Sequence, residues 1–365
     1  MNLLLKEIRR NPLLWLVVFV PVVFVAEHLL SDSPTLLFVL SVLAIVPLAA
    51  LLSHATESVA AKTGDAVGGL LNATLGNLTE LVIALTALRA GEYMLVKASL
   101  AGAIVTNTLF MLGASFLLGG LKHHAQEFNR ASARLQAGLL FLATVALLIP
   151  SAVGAADSLQ PTAFTEKLSV SLAVLLIAIY GLGLLFSLKT HREFFSAAEH
   201  HGEEGSAPWP IGLALGTLAG VTVLVALVSE VFVESVQGAA LSLGMSKAFV
   251  GFIIVALVGG AAEMASAFSG ARKNRLDQSV GIALGSATQI ALFVAPVLVL
   301  ASYVLGPTPM TLQFWPGAVL MMLIATVTAS FISNSGRSAW FVGVLVLAVY
   351  LTFAITLYLL PPRVQ

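Results

Sequence analysis

The stretch GGLLNATLGNLTELVIALTAL, from Gly68 to Leu88, places Glu80 among apolar residues and decides the fold. A second version, VGGAAEMASAFSG from Val258 to Gly270, carries Glu263 nearly two hundred residues later. A charged side chain inside a hydrocarbon layer costs about 2.5 to 3.5 kcal/mol on insertion scales, so each carboxylate needs a partner or a proton. Two acids in repeated surroundings therefore predict a cation site within a membrane.

Composition supports a membrane setting for the whole chain. The 365 residues are 58% hydrophobic and only 10% charged, with a mean hydropathy of +0.98. We therefore predict a polytopic membrane protein whose surroundings are the lipid bilayer. Eighteen basic and eighteen acidic residues give no net charge, so nothing indicates a nucleic-acid partner. The absence of cysteine excludes disulfides and thiolate metal sites, and the sequence is compatible with a homo-oligomer.

Apolar runs long enough to cross a bilayer recur along the chain. A crossing helix needs about 20 residues, and continuous runs rather than alternating ten-residue segments predict an all-α protein. Eleven such runs are present, at 12–30, 35–57, 67–89, 94–119, 134–154, 167–188, 209–237, 247–270, 277–304, 315–333 and 339–360.

The positive charges in the loops predict the orientation. With the N-terminus in the cytoplasm, thirteen of the 18 Lys and Arg residues fall on the inner side, which favours a cytoplasmic N-terminus and an external C-terminus. No targeting extension precedes the first helix, so we expect a multi-pass protein of the plasma membrane.

The chain divides into a first helix and two halves that resemble each other. We assign the first helix to 1–31, one five-helix repeat to 32–189, a cytoplasmic linker to 190–207 and the second five-helix repeat to 208–365. Five helices per repeat place the two repeats in opposite orientations, as in many transporters. The linker is rich in Glu and His, which is typical of a solvated connection but is also compatible with a weak divalent-cation sensor.

Helical spacing selects the candidate site residues of the first half. Asn72, Gly76 and Glu80 step by four along one predicted face, and Asn77 lies beside Glu80. Asn107, 27 residues beyond Glu80, stands in the next helix. The glycine in this row predicts close helix packing or, alternatively, a helix break that frees backbone carbonyls.

The second half repeats the pattern. Gly259 precedes Glu263 by one turn, and Gln289 lies 26 residues beyond Glu263 with Ser286 one turn before it. Together the two halves offer carboxylate, amide, hydroxyl and backbone oxygens, which suit a hard cation such as Ca²⁺. Glu80 and Glu263 are the expected metal-binding pair.

The same two carboxylates predict exchange for protons. A divalent cation cancels both charges, and after it leaves, two neighbouring anions in a low dielectric do not persist together. Protons then replace the ion, so we expect no bound cofactor, only transported Ca²⁺ and H⁺. Glu57 and Glu230 are candidate relay residues toward the centre, and they are equally compatible with interfacial or helix-pairing roles.

The segments GGLLNATLGNLTEL, KASLAGAIVTNTLFMLG, GGAAEMASA and GSATQIALFVAPVLVL resemble the signature repeats of the calcium/cation–proton antiporters, the CAX family of the calcium:cation antiporter superfamily. The resemblance covers nearly the whole chain. It implies that Glu80 and Glu263 bind the transported ion in competition with protons, that Asn107 and Gln289 are the amides of the following helices, and that Glu57 is the acid near the cytosolic mouth.

Two positions depart from the family pattern. Gly260 and Met264 stand where the family usually has Asn and His around the second acid, so pH dependence, affinity and cation choice do not follow from the resemblance. We interpret Met264 as a packing residue, because a thioether is a poor Ca²⁺ ligand.

Other functions stay open at this point. A sodium-driven Ca²⁺ exchanger would share the fold, and a Mn²⁺ or other divalent-cation exchanger is compatible with the His-bearing linker. An intramembrane enzyme is disfavoured, because no zinc motif or aspartyl dyad lies in the spans. A passive channel is disfavoured because facing acids would hold an ion too tightly for fast flow.

Overall fold

A computed structural model describes residues 11–63, 65–156, 162–191 and 209–360. Nine of its helices are long and apolar enough to cross a membrane by themselves, and two bent helix pairs bring the number to eleven, as predicted from the sequence. The helices are α1 Pro12–Leu29, α2 Pro34–Thr63, α3 Val67–Leu75, α4 Leu78–Arg89, α5 Tyr93–His123, α6 Arg130–Val153, α7 Ala163–Thr190, α8 Ile211–Ser242, α9 Lys247–Gly259, α10 Ala261–Arg272, α11 Leu276–Leu305, α12 Pro316–Ser333 and α13 Trp340–Leu359.

Each half contains one broken span. The axis bends by 42° between α3 and α4, at the turn Gly76–Asn77, and by 60° between α9 and α10, at Gly260. Glycine is a poor helix former, and asparagine competes for backbone hydrogen bonds, so both sequences favour a break at these points. The unbroken row expected from Asn72 to Glu80 is therefore wrong, and the alternative of a helix break is observed.

The predicted all-α architecture holds except for two short strands. β1, Ala125–Glu127, pairs antiparallel with β2, Arg337–Ala339. They join the α5–α6 and α12–α13 connections, which places these two loops on the same face of the protein. The predicted linker at 190–207 lies outside the described residues from 192 onward.

Two long helices, α2 and α8, lie side by side. α2 and α8 pack along each other through apolar side chains, including the stacked rings of Phe38 and Phe232 at a centroid distance of 5.3 Å. α8 also packs against α4, and α2 contacts α10. This helix pair therefore borders both half-helices that carry the predicted site acids.

α5, which follows the first broken span, and α9, which leads into the second break, cross each other at very short range. A Cβ atom added to Gly102 of α5 would lie 2.1 Å from the carbonyl oxygen of Phe252 in α9. A Cβ atom on Gly251 of α9 would lie 2.5 Å from the Ala98 Cβ. Small residues thus let the two backbones touch, which holds the two repeats together beside the breaks.

We predict that Gly102→Ala lowers the free energy of unfolding by about 1–3 kcal/mol, because the added methyl group meets rigid backbone rather than a movable side chain. Gly138→Ala is the matched control, since its Cβ would meet no atom within 4 Å. The measurement is the midpoint of thermal unfolding in detergent. Equal midpoints for the two variants would contradict the close approach of α5 and α9.

Candidate cation-binding site

The two breaks place both predicted acids in the first turn of a half-helix. Glu80 is the third residue of α4, and Glu263 is the third residue of α10. The residues that precede these helices are Asn77 and Gly260, and neither makes a side-chain cap. The free N–H groups and the positive end of the helix dipole stabilise negative charge at such a position. Backbone polarity thus supports a carboxylate at membrane depth.

Glu80 of one repeat and Glu263 of the other lie near each other. They are close enough for the charge of Glu80 to act on Glu263. Glu80 also lies directly against the break of the other repeat, where a Cβ on Gly259 would come within 2.9 Å of the Glu80 Cγ. Only glycine at this position leaves room for the Glu80 side chain.

The two carboxamides are arranged crosswise. Asn107 of α5 approaches Gly260, whose added Cβ would lie 3.6 Å from the Asn107 Oδ1. Gln289 of α11 approaches Gly76, whose added Cβ would lie 3.3 Å from the Gln289 Oε1. Each repeat therefore supplies an amide to the helix break of the other, which makes one shared site rather than two separate ones.

Local helix widening accompanies both amides. Asn107 lies in a π-helical segment, Thr106–Met111, and a second one, Ile290–Val294, begins directly after Gln289. Such i→i+5 segments are rare and occur frequently at functional sites. The repeated irregularity is a second feature, beside the breaks, that the two halves share.

A hydrogen-bond chain crosses the centre. Asn107 Nδ2 donates to Ser286 Oγ at 2.8 Å, and Ser286 Oγ donates to Asn77 Oδ1 at 2.8 Å. Ser286 also lies near the Glu263 carboxyl. All three members of the chain are buried. The chain fixes the side chains of α5, α11 and the α3–α4 turn relative to one another.

Several polar atoms at this crossing stay unpaired. Within the described part of the chain, no hydrogen-bond partner exists for Asn77 Nδ2, Gln289 Nε2 or Glu263 Oε2, and all three atoms are buried. Unpaired buried polar groups are costly. Their convergence here indicates a place where a ligand or water completes the coordination.

A small cavity reaches Glu80 from one side. It lies between α4, α5, α9 and α11, toward the face on which α4 ends at Arg89. Its lining includes Ser99 and Ala103, the residues that precede Asn107 by two turns and one turn. The cavity is about large enough for one water molecule beside the Glu80 carboxyl.

The available ligands are hard oxygens. No cluster of three or more His, Cys, Asp or Glu side chains exists among the described residues. A cation at the crossing would therefore have two carboxylates together with amide, hydroxyl and backbone oxygens, a donor set suited to Ca²⁺. Met264 is 6% exposed and belongs to an apolar cluster, in agreement with its interpretation as a packing residue.

The two candidate relay acids occupy different places. Glu57 on α2 accepts a hydrogen bond from Ser53 and lies near enough for its charge to act on Glu263. Glu230 on α8 contacts Arg89 at 3.8 Å, and both of these side chains are at least half exposed. The geometry thus favours a relay position for Glu57 and the helix-pairing alternative for Glu230.

The structure brings together all eight central residues that the sequence selects. They are Gly76, Asn77, Glu80, Asn107, Gly259, Glu263, Ser286 and Gln289. Sequence reasoning missed the position of both acids in a first helical turn. The signal was present in Gly76–Asn77 and Gly259–Gly260, which are helix-breaking pairs three to four residues before each Glu.

Each half contains a discontinuous helix with a carboxylate directly after the break. This arrangement is typical of inverted-repeat membrane transporters. A family model described as "Sodium/calcium exchanger protein" matches residues 33–189 and 213–359. The chain belongs to this family, within its calcium/cation–proton antiporter branch.

Individual relatives are similar over almost their full length. A protein of Aphanothece halophytica named Ca(2+)/H(+) antiporter is 39% identical, covering 95% of this chain and 96% of the relative. The Ca(2+)/H(+) antiporter ChaA of Bacillus subtilis is 42% identical over 92% of this chain and 95% of its own. A solved structure of native YfkE is 38% identical with a TM-score of 0.82, covering 96% of this chain and 100% of that one.

We predict that Ser286→Ala destabilises the protein by about 1–3 kcal/mol, because Asn107 and Asn77 each lose a buried hydrogen-bond partner. Ser41→Ala is the matched control, since the Ser41 hydroxyl is buried and has no partner among the described residues. Thermal unfolding in detergent measures both. A Ser286→Ala midpoint equal to that of Ser41→Ala would show that the chain of hydrogen bonds is not formed.

Proposed function

We propose that this protein exchanges Ca²⁺ for protons across a membrane by alternating access, with Glu80 and Glu263 binding the cation and protons in turn. The observation that carries the proposal is the neighbouring pair of carboxylates, each in the first turn of a half-helix and contributed by opposite repeats. The names of the relatives, Ca(2+)/H(+) antiporters at 39% and 42% identity, support the same pair of substrates.

Charge balance explains why the two substrates exclude each other. With Ca²⁺ bound, its two positive charges offset the two carboxylates, and the amide and hydroxyl oxygens of Asn77, Asn107 and Ser286 supply neutral ligands. Without the cation, two neighbouring anions in a low dielectric are unfavourable, so protons bind. The two carboxylates are neutralised in both states, by one Ca²⁺ or by two protons. The transporter is therefore able to change orientation with either substrate bound.

Proton coupling supplies the driving force. One pH unit across the membrane provides about 1.4 kcal/mol for each proton exchanged. Sodium coupling is the second candidate in this family. A sodium-driven exchanger would be expected to have hydroxyl side chains beside both acids. Here Thr79 precedes Glu80, but Ala262 precedes Glu263, so the sequence disfavours sodium coupling.

The orientation and location belong to this proposal. The excess of Lys and Arg in alternate loops supports a cytoplasmic N-terminus and an external C-terminus in a plasma membrane. The bilayer, Ca²⁺ and protons are the proposed partners, and no resident cofactor is required for the exchange chemistry.

The central test is ion flux in proteoliposomes with an imposed pH gradient. We expect the parent protein to move Ca²⁺ against protons, and we expect Glu80→Gln and Glu263→Gln each to abolish flux because one carboxylate cannot neutralise a divalent cation. Glu234→Gln is the matched control, because Glu234 is exposed on α8. Flux that follows a sodium gradient and ignores pH would establish sodium coupling, and normal flux in both Gln variants would refute the two-carboxylate site.

The accessory acids give a separate prediction on pH. Protons compete for the same carboxylates, so the KM for Ca²⁺ should rise as the pH falls. Removing the Glu57 charge with Glu57→Gln should change this pH profile, because that charge acts on Glu263, whereas Glu230→Gln should leave the profile like that of the parent. Initial rates of Ca²⁺ uptake at several pH values measure both. If the parent and both variants have the same dependence of KM on pH, Glu57 does not act as a relay toward Glu263.

A further inference from the structure

The far end of α10 is held by side chains from the other repeat. Lys122 Nζ and His123 Nε2 each lie 3.0 Å from the carbonyl oxygen of Arg272, the last residue of α10. Gln126 Nε2 donates to the carbonyl oxygen of Ala271 at 2.9 Å. We call Lys122, His123 and Gln126 the α10 clamp.

The clamp satisfies groups that a helix end leaves open. The last carbonyls of a helix have no partner within the helix, and they form the negative end of its dipole. The Lys122 ammonium and two further N–H groups are therefore well placed at the end of α10. Donors from repeat 1 thus bind the acceptors of a half-helix in repeat 2.

The Gln126 side chain is the buried centre of the clamp. Gln126 is 3% exposed, and its Nε2 also donates to the Asn274 Oδ1 at 2.9 Å. A Cβ atom on Gly119 of α5 would lie 1.8 Å from the Gln126 Oε1. Only a residue without a side chain at position 119 leaves room for the carboxamide to reach α10.

The backbone on either side is shaped for this contact. His124 has a φ of 61° and Asn274 a φ of 60°, the two non-glycine residues with positive φ in the described chain. Such conformations are unfavourable for residues with a Cβ and persist where the surroundings fix them. Gln126 itself lies in β1, which pairs with β2, and Arg337 of β2 binds Glu127 of β1 at 2.7 Å. The strand pair and the ion pair therefore hold the backbone of the clamp in place.

α10 is short and is severed from α9 by the 60° bend at Gly260, so helical continuity does not fix its position. Glu263 stands at one end of this half-helix, about 14 Å from Arg272 at 1.5 Å per residue. A rigid rod of this length transmits a displacement of one end to the other. We propose that the α10 clamp, with Gln126 at its centre, is a positioning device that sets the place of Glu263 in the cation site from the opposite repeat.

This inference rests on the proposed function for its effect on Ca²⁺, but the position of α10 is measurable without transport. Two substitutions break the clamp in different ways. Gln126→Met keeps the length of the side chain and removes both donated hydrogen bonds, and Gly119→Ala expels the unchanged Gln126 side chain. The matched controls are Gln237→Met, at an exposed position of α8, and Gly138→Ala, where a methyl group meets no atom within 4 Å.

The first measurement is the KM for Ca²⁺ in proteoliposomes, normalised to the amount of reconstituted protein. We expect both clamp variants to raise the KM about tenfold, the lower end of the effect for residues that orient metal ligands, and both controls to match the parent. A purely structural role would lower the yield or the unfolding midpoint and leave the KM unchanged. A parent KM in Gln126→Met and Gly119→Ala therefore overturns the proposal, and Gly119→Ala alone decides it if Gln126→Met does not fold.

The second measurement is the distance between two spin labels. The chain has no cysteine, so Ala265→Cys on α10 and Leu142→Cys on α6 introduce the two labelling sites, both at exposed positions. We expect a narrow distance distribution in this labelled background and a broader or shifted one when either clamp substitution is added. An unchanged distribution in both overturns the proposal. A parent that transports no Ca²⁺ under any gradient refutes the proposed function, whereas the spin-label result still decides whether the clamp positions α10.

Discussion

The structure depends on the cost of placing two carboxylates in a medium that does not solvate them. Within a bilayer the surrounding lipid does not stabilise Glu80 and Glu263, so the protein must supply polarity from its own backbone. It does so by breaking two helices directly before the acids, which presents free N–H groups to each carboxylate. The breaks, the glycines that line them and the close crossing of α5 with α9 all follow from this requirement.

Breaking a helix in a membrane creates a second cost, because unpaired backbone groups need new partners. At the breaks themselves, the carboxamides of Asn107 and Gln289 each lie beside the break of the other repeat. At the far end of α10 the partners are Lys122, His123 and Gln126, again from the other repeat. Each repeat is thus incomplete alone, and the site exists only where the two meet.

The two halves are similar but not identical, and the differences lie at the site. Asn77 precedes the first half-helix and accepts a hydrogen bond from Ser286, whereas Gly260 precedes the second and has no side chain to offer. Asn107 approaches the space at Gly260 instead. The oxygen ligands around the two breaks therefore differ in kind, with Asn77 and Gln289 near the first break and Asn107 and Ser286 near the second. Such asymmetry gives the two carboxylates different surroundings within one shared site.

The sequence by itself determined the membrane class and the eleven spans, and it predicted the duplication and the eight central residues, because hydropathy and local spacing are properties of contiguous stretches. It left open whether Gly76 and Gly259 serve packing or a helix break, since both uses of glycine have the same local pattern. Only the tertiary structure decided that Glu80 lies against Gly259, that Glu57 rather than Glu230 lies near enough for its charge to act on the second acid, and that Gln126 holds α10. Those contacts join residues more than a hundred positions apart, and their geometry depends on how whole helices pack, which no local pattern encodes.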